Sequence, residues 1–185
     1  MSDRTAAEGR TCGGCTGCCR IPPIHEMDKP ANVPCIHCGI GVGCRIYAER
    51  PPVCQKFMCI WLTQIEVGDH WYPPVSNIVL AEDRASATLI AHVDSAFPDA
   101  WRRAPYYDEL HNWAANPTPT RQRVCVKLGE ELIAIFPVGE KSLGPMRSNQ
   151  VVLIHKIGTM FWTAYDAELV NESDPRAAGA IGHRS

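Results

Sequence analysis

The sequence predicts an α+β protein: an irregular Cys-rich N-terminal module packed on an antiparallel β-rich body with one principal helix. Three observations predict it. Nine of the ten cysteines lie between Cys12 and Cys59, in a stretch rich in glycine and proline and poor in aliphatic residues. Beyond Ile65 the composition turns ordinary, and short apolar runs alternate with turn residues. One segment, Pro105 to Ala115, carries a helical apolar face.

Element by element, residues 1–11 are polar and read as a flexible N-terminus. Residues 12–64 form the Cys-rich module. With six glycines among 13–43 and prolines at 22, 23, 30, 34, 51 and 52, it buries too little apolar surface to offset its conformational entropy unaided. A bound ion supplies the missing cross-link, because binding free energy becomes folding free energy, and the module is expected to be metal-nucleated.

The α+β body spans 65–170. SNIVLAED (76–83) and SATLIAHVD (86–94) read as strands, and PDAWRR (98–103) as a helical turn. In the principal helix Pro105 sits at the first position, and Tyr106, Leu110, Trp113 and Ala114 share one face until Asn116-Pro117 ends it. Residues 123–138 read as a hairpin turning at Gly129-Glu130, and 151–156 with 159–169 as a second strand pair around Gly158. Residues 171–185, rich in Ala, Gly and charge, read as a flexible tail.

Composition excludes several classes. With a formal charge of -2, the chain has no basic excess for gripping nucleic acid. The N-terminus lacks an apolar signal region, and no run approaches the ~18 apolar residues that cross a bilayer. A cytoplasmic location is therefore expected, where thiols stay reduced and clustered cysteines ligate metal rather than pair as disulfides. No nucleophile elbow, phosphate-binding loop or dinucleotide fingerprint is present, and no catalytic residue is assigned.

The candidate metal ligands are Cys12, Cys15, Cys18, Cys19, Cys35, Cys38, Cys44, Cys54 and Cys59. In Cys12-Gly-Gly-Cys15-Thr-Gly-Cys18-Cys19, each Cys-x-x-Cys turn sets two sulfurs on one side of a tight loop, within reach of an ion about 2.3 Å from each. Glycines between them free backbone N–H groups to face thiolate. Adjacent Cys18 and Cys19 are hard to seat on one ion, so one of them bridges two ions or serves a second site. Two four-ligand sites with a spare thiol, a binuclear site with shared thiolates, and a single site with bystanders all satisfy the count.

These residues carry a resemblance. CGGCTGCC (12–19) followed by GCRIYAERPPVCQKFMC (43–59) resembles the CxxCxxCC family of YkgJ-like proteins, described as zinc- or iron-chelating domains. Cys12, Cys15, Cys18 and Cys19 match its box. Cys44, Ile46, Tyr47, Arg50, Pro51, Cys54 and Phe57 match its closing block, with Cys35 or Cys38 as middle ligand. The likeness spans 12–61, about a quarter of the chain, and implies zinc or iron binding with no defined reaction.

All-thiolate ligation suits Zn²⁺, the favoured cofactor, and also iron or an Fe–S cluster. The expected function is metal binding. The alternatives are an Fe–S redox protein or oxidoreductase component, a zinc-stabilised module for binding protein or nucleic acid (the latter disfavoured by charge), and a metal-dependent enzyme. A metal ion is the expected partner; no membrane is. Beside the thiols, His37 reads as a neighbour rather than a ligand, and His25, near Glu26 and Asp28, as a solvated loop residue. Arg50 reads equally as a donor to thiolate or as a turn-fixing ion pair. Cys125, between Val124 and Val126, reads as a core thiol; His155 shows no partner carboxylate. The five tryptophans read as packing anchors, and Arg102-Arg103 as a solvated face.

Overall fold

The computed structural model describes residues 5–158 and 163–179. Helices and antiparallel strands are both present, as the α+β reading expects. In chain order the regular elements are α1 (Gly17–Arg20), β1 (Cys38–Gly39), β2 (Gly43–Cys44), α2 (Pro52–Lys56), α3 (Ile60–Thr63), α4 (Pro73–Ser76), β3 (Ile78–Asp83), β4 (Thr88–Val93), α5 (Tyr106–Ala115), β5 (Arg123–Leu128), β6 (Glu131–Ile135), β7 (Glu140–Pro145), β8 (Gln150–Gly158) and β9 (Thr163–Asn171). Short 3-10 turns lie between them. Strands β3 to β7 form a sheet in sequence order, while β1-β2 and β8-β9 form separate ribbons.

By its internal contacts the chain divides into two units, Met1–Ala81 with His92–Trp101, and Glu82–Ala91 with Arg102–Ser185. The division falls elsewhere than after residue 64. Residues 65–81 join the Cys-rich segment because that segment's few aliphatics need neighbours. Ile21, Ile60 and Leu62 are buried, as are Val67, Trp71, Ile78 and Val79 of the same unit. Gly17 shows how close the approach is: a Cβ there would lie 2.8 Å from the Pro73 Cβ and 3.0 Å from the Val79 Cγ2. Only glycine lets the cysteine turn seat so tightly.

The first unit is tied from a residue that its local sequence does not flag. Residues 1–11 read as flexible, yet the Ala7 N–H donates to the Leu62 carbonyl at 2.8 Å, and the Arg10 guanidinium is buried. Arg10 donates to the carbonyls of Trp61 (2.5 Å), Gln64 (2.8 Å) and Val67 (2.7 Å) and to Asp69 Oδ1 (2.9 Å). It also lies over the Trp61 ring, 4.9 Å from the centroid. One side chain thus satisfies carbonyls that an irregular loop cannot pair with itself.

The second unit is conventional. The Val124↔Ile135 to Leu128↔Glu131 register makes β5-β6 a hairpin, with Gly129 at φ +57° supplying the turn. Between β6 and β7 the register shifts at Leu132/Ile133, and Gly144 at φ +70° absorbs the extra residue. The β8-β9 ribbon shows period-2 sorting. Val152 and Ala167 cluster with Cys125, Leu132, Ala134 and Phe136, whereas Val151, Leu153 and Val170 face Ala177. Helix α5 buries Leu110 completely, and His111 Nδ1 meets the Phe136 carbonyl at 2.6 Å.

Several expectations change. Pro105 caps α5 rather than opening it, and PDAWRR contributes only the 3-10 turn Ala100–Arg102. The tail is ordered as far as a 3-10 turn over Pro175–Gly179, because buried Ala177 covers β8 and β9. His155 does have a carboxylate partner, Glu168 at 2.9 Å across the ribbon, and Arg102 pairs with Glu140 at 2.6 Å. The expected strand over 159–169 begins at Thr163; residues 159–162, with Trp162, lie outside the described residues, as do 1–4 and 180–185.

Replacing Arg10 removes a donor from the half-buried carbonyls of Trp61 and Gln64 and from the buried carbonyl of Val67, and breaks the contact to Asp69. Arg10→Met is expected to cost about 3 kcal/mol in urea unfolding, against less than about 0.5 kcal/mol for the exposed control Arg84→Met.

Candidate metal centre

Seven of the nine N-terminal cysteines line one cavity of about 160 Å³: Cys12, Cys15, Cys18, Cys19, Cys35, Cys44 and Cys54. A second, smaller cavity of about 30 Å³ is lined by Cys12, Cys15, Cys18 and Cys59. Cys38 lines neither, but it opposes Cys44 in the β1-β2 register. All ten cysteines are free thiols, and the nine are half-buried. Segments far apart in sequence therefore present sulfur to common space.

Local backbone explains this convergence. The Cys15 N–H closes a turn on the Cys12 carbonyl at 2.8 Å, and the Cys38 N–H closes the same turn on Cys35 at 2.8 Å. At two cysteines the N–H two residues on faces sulfur: Gly17, just after the first turn, toward Cys15, and His37, within the second, toward Cys35 Sγ at 3.5 Å. The Cys35 N–H donates to the Cys19 carbonyl at 2.9 Å, tying the two turns together. Glycines allow the turns to touch, since a Cβ on Gly14 would lie 2.9 Å from the Gly41 carbonyl oxygen.

The surroundings favour negative sulfur at some positions and oppose it at others. Burial raises the thiols of Cys12, Cys15, Cys38 and Cys54, and pushes Cys59 up to about 11. The Cys18 S–H donates to the Cys19 sulfur; Cys18 is thereby raised and Cys19 lowered to about 6. Cys38 also donates to Cys19, and Lys29 and Arg50 add positive charge nearby. The Tyr47 hydroxyl donates to Cys12, with Arg50 over the Tyr47 ring at 3.9 Å. Arg50 Nε is buried with no hydrogen-bond partner among the described residues, near Cys12 and Cys44.

Lys29 went unread in the sequence. It is buried, and its Nζ donates to the carbonyls of Arg20 (3.0 Å), Pro22 (2.6 Å) and Pro30 (3.0 Å). Burial lowers its pKa while the thiols of Cys35, Cys19, Cys18 and Cys38 oppose that shift. A single lysine in a polar loop carries no pattern that would mark it. His25, Glu26 and His37 line the larger cavity; Asp28 ends the 3-10 turn His25–Met27 in a left-handed conformation instead.

As they stand, no three Cys, His, Asp or Glu side chains among the described residues are arranged to hold a metal ion. The sulfurs share cavities without forming a coordination sphere, so holding an ion requires drawing them together. Comparison with family models, with curated proteins and with solved structures returned no match. The resemblance to the CxxCxxCC family therefore rests on residue spacing alone.

Cys125 stands apart. It is fully buried in β5, and burial pushes its thiol from 9.0 up to about 12. A raised thiol contributes stability that is complete below the unfolded value and is lost as pH rises toward the folded one. Between pH 9 and 12 the wild type is expected to lose stability one proton more steeply than Cys125→Ala, read by urea unfolding across that range. In the folded chain at pH 8, iodoacetamide should spare Cys125, since thiolate is the reacting form.

Proposed function

We propose that the chain is a metal-binding protein of CxxCxxCC type, holding one or two thiolate-ligated ions through cysteines of its N-terminal segment, with zinc favoured. The observation that carries this reading is the cavity on which Cys12, Cys15, Cys18, Cys19, Cys35, Cys44 and Cys54 converge from four stretches of chain. Soft thiolates select zinc or iron over the hard cations. The donor chemistry around them fits: N–H groups face two of the sulfurs, Tyr47 donates to a third, and the Arg50 Nε–H is buried beside the cluster. Such outer contacts orient sulfur ligands and offset their charge.

Zinc, when bound, supplies a fixed positive charge that turns buried thiols into thiolates and closes the loop around itself. The chain's own residues hold the sulfurs in reach: Gly14 and Gly17 permit the close approach, while Lys29 gathers the carbonyls of the surrounding loop. A reducing, cytoplasmic setting suits ten free thiols. No described helix is long and apolar enough to cross a membrane.

A second reading, an Fe–S redox protein or oxidoreductase component, is favoured by the N–H contacts to sulfur, which tune cluster potentials. Anaerobic purification without added metal separates the two. Zinc at one or two ions per chain with a colourless solution is expected. A brown band near ~400 nm together with bound iron supports the cluster. Treatment with EDTA is expected to make residues 12–64 protease-sensitive, and unchanged resistance there counts against metal-dependent order.

A further inference from the structure

The nine thiols do not share one space equally. The smaller cavity meets Cys12, Cys15, Cys18 and Cys59, walled by Phe57, Trp61, Leu62, Pro73 and Val79. At about 30 Å³ it has room for little more than a single ion or water. The larger cavity, at about 160 Å³, is where Cys19, Cys35, Cys44 and Cys54 open, beside Tyr47 and Arg50. Cys12, Cys15 and Cys18 line both cavities and so form the wall between them.

Most sulfur-sulfur couplings fall within one set, although Cys19 meets the first set directly, accepting from Cys18 and acting on Cys12 and Cys15. Cys59 is acted on by Cys12 and Cys15. Cys54 is acted on by Cys19, Cys35 and Cys44, and Cys38 by Cys19 and Cys35. The β1-β2 register places Cys38 opposite Cys44, and a backbone hydrogen bond joins Cys35 to Cys19. The adjacent pair is resolved by α1, which spans Gly17–Arg20. Successive side chains on a helix point about 100° apart, so Cys18 reaches the smaller cavity while Cys19 reaches only the larger.

We propose that the chain holds two ions in unlike sites: Cys12, Cys15, Cys18 and Cys59 close a four-thiolate structural site, while Cys19, Cys35, Cys38, Cys44 and Cys54 form an exchangeable one. This rests on the metal-binding reading above. Four thiolates complete a tetrahedron within apolar walls and leave no position for an incoming ligand. Four of the second set face a cavity larger than an ion, and Cys38, opposite Cys44 in the register, is a fifth sulfur in excess, with space left for a competing donor. The first ion holds the fold, and the second can be handed on.

The test uses the full, reduced chain loaded anaerobically with Zn²⁺, with stoichiometry read by native mass spectrometry and release followed under excess EDTA. Two ions per chain are expected, the second leaving at least about tenfold more slowly than the first. Cys59→Ser should lose the slow ion and keep the fast one; the double variant Cys44→Ser with Cys54→Ser, which leaves the second set only three sulfurs, should do the reverse. To separate loss of an ion from unfolding of the segment by Cys59→Ser, the wild type is also alkylated after the first ion has left. Labelling of Cys19, Cys35, Cys38, Cys44 and Cys54 ahead of Cys12, Cys15, Cys18 and Cys59 supports the division. One ion per chain, equal release rates, or labelling of the two sets together overturns it while leaving metal binding intact. No ion at all overturns both.

Discussion

Two buried cations hold the irregular first unit together. Arg10 donates to four carbonyls and a carboxylate along 61–69, and Lys29 donates to three carbonyls between 20 and 30. Chain without long helices or strands leaves backbone oxygens that cannot pair within an element, and burying them bare is costly. A guanidinium and an ammonium each satisfy several at once. Their charge has a second effect, since Lys29 stands close enough to lower the Cys19 thiol. The lysine that permits an irregular backbone thus also makes one of its sulfurs readier to ionise.

The thiols pull the other way. Burial raises most of them, so the unit holds sulfur largely in the protonated form. Desolvation and the packing of glycine against backbone keep the sulfurs near one another without making them converge. A divalent cation reverses the balance by making the charged form the favourable one. On this account the cavities are arranged for an event that the unliganded protein resists, and the resistance keeps the thiols from reacting indiscriminately.

Much of the second unit was legible because its signals are local. Short apolar runs bounded by turn residues over 76–83 and 86–94 mark β3 and β4, and the spacing of Tyr106 and Leu110 marks α5. Strand β7 was not legible: Glu140–Pro145 contains Lys, Gly and Pro, shows no alternation, and is a strand only because β6 offers it a partner. The His155–Glu168 pair is likewise a product of cross-strand geometry. In the first unit the spacing of Cys12, Cys15, Cys18 and Cys19 marks a cluster of thiols, yet how its turns seat depends on close contacts of 13–14 with 41–43 that spacing does not show. Arg10 and Lys29 gave no signal, because one basic residue in a polar stretch looks the same whether solvated or buried.

The reach of Arg10 bears on how the chain is made. Its acceptors lie 51 to 59 residues further along. Synthesis at about 5–20 residues per second separates the two by on the order of several seconds. The cysteine turns are made within that interval, before the clasp that orders their unit has a partner. The thiols are then at their most accessible, to an oxidant as much as to an ion. A chain halted between Arg10 and its acceptors would show those thiols without the fold that half-buries them.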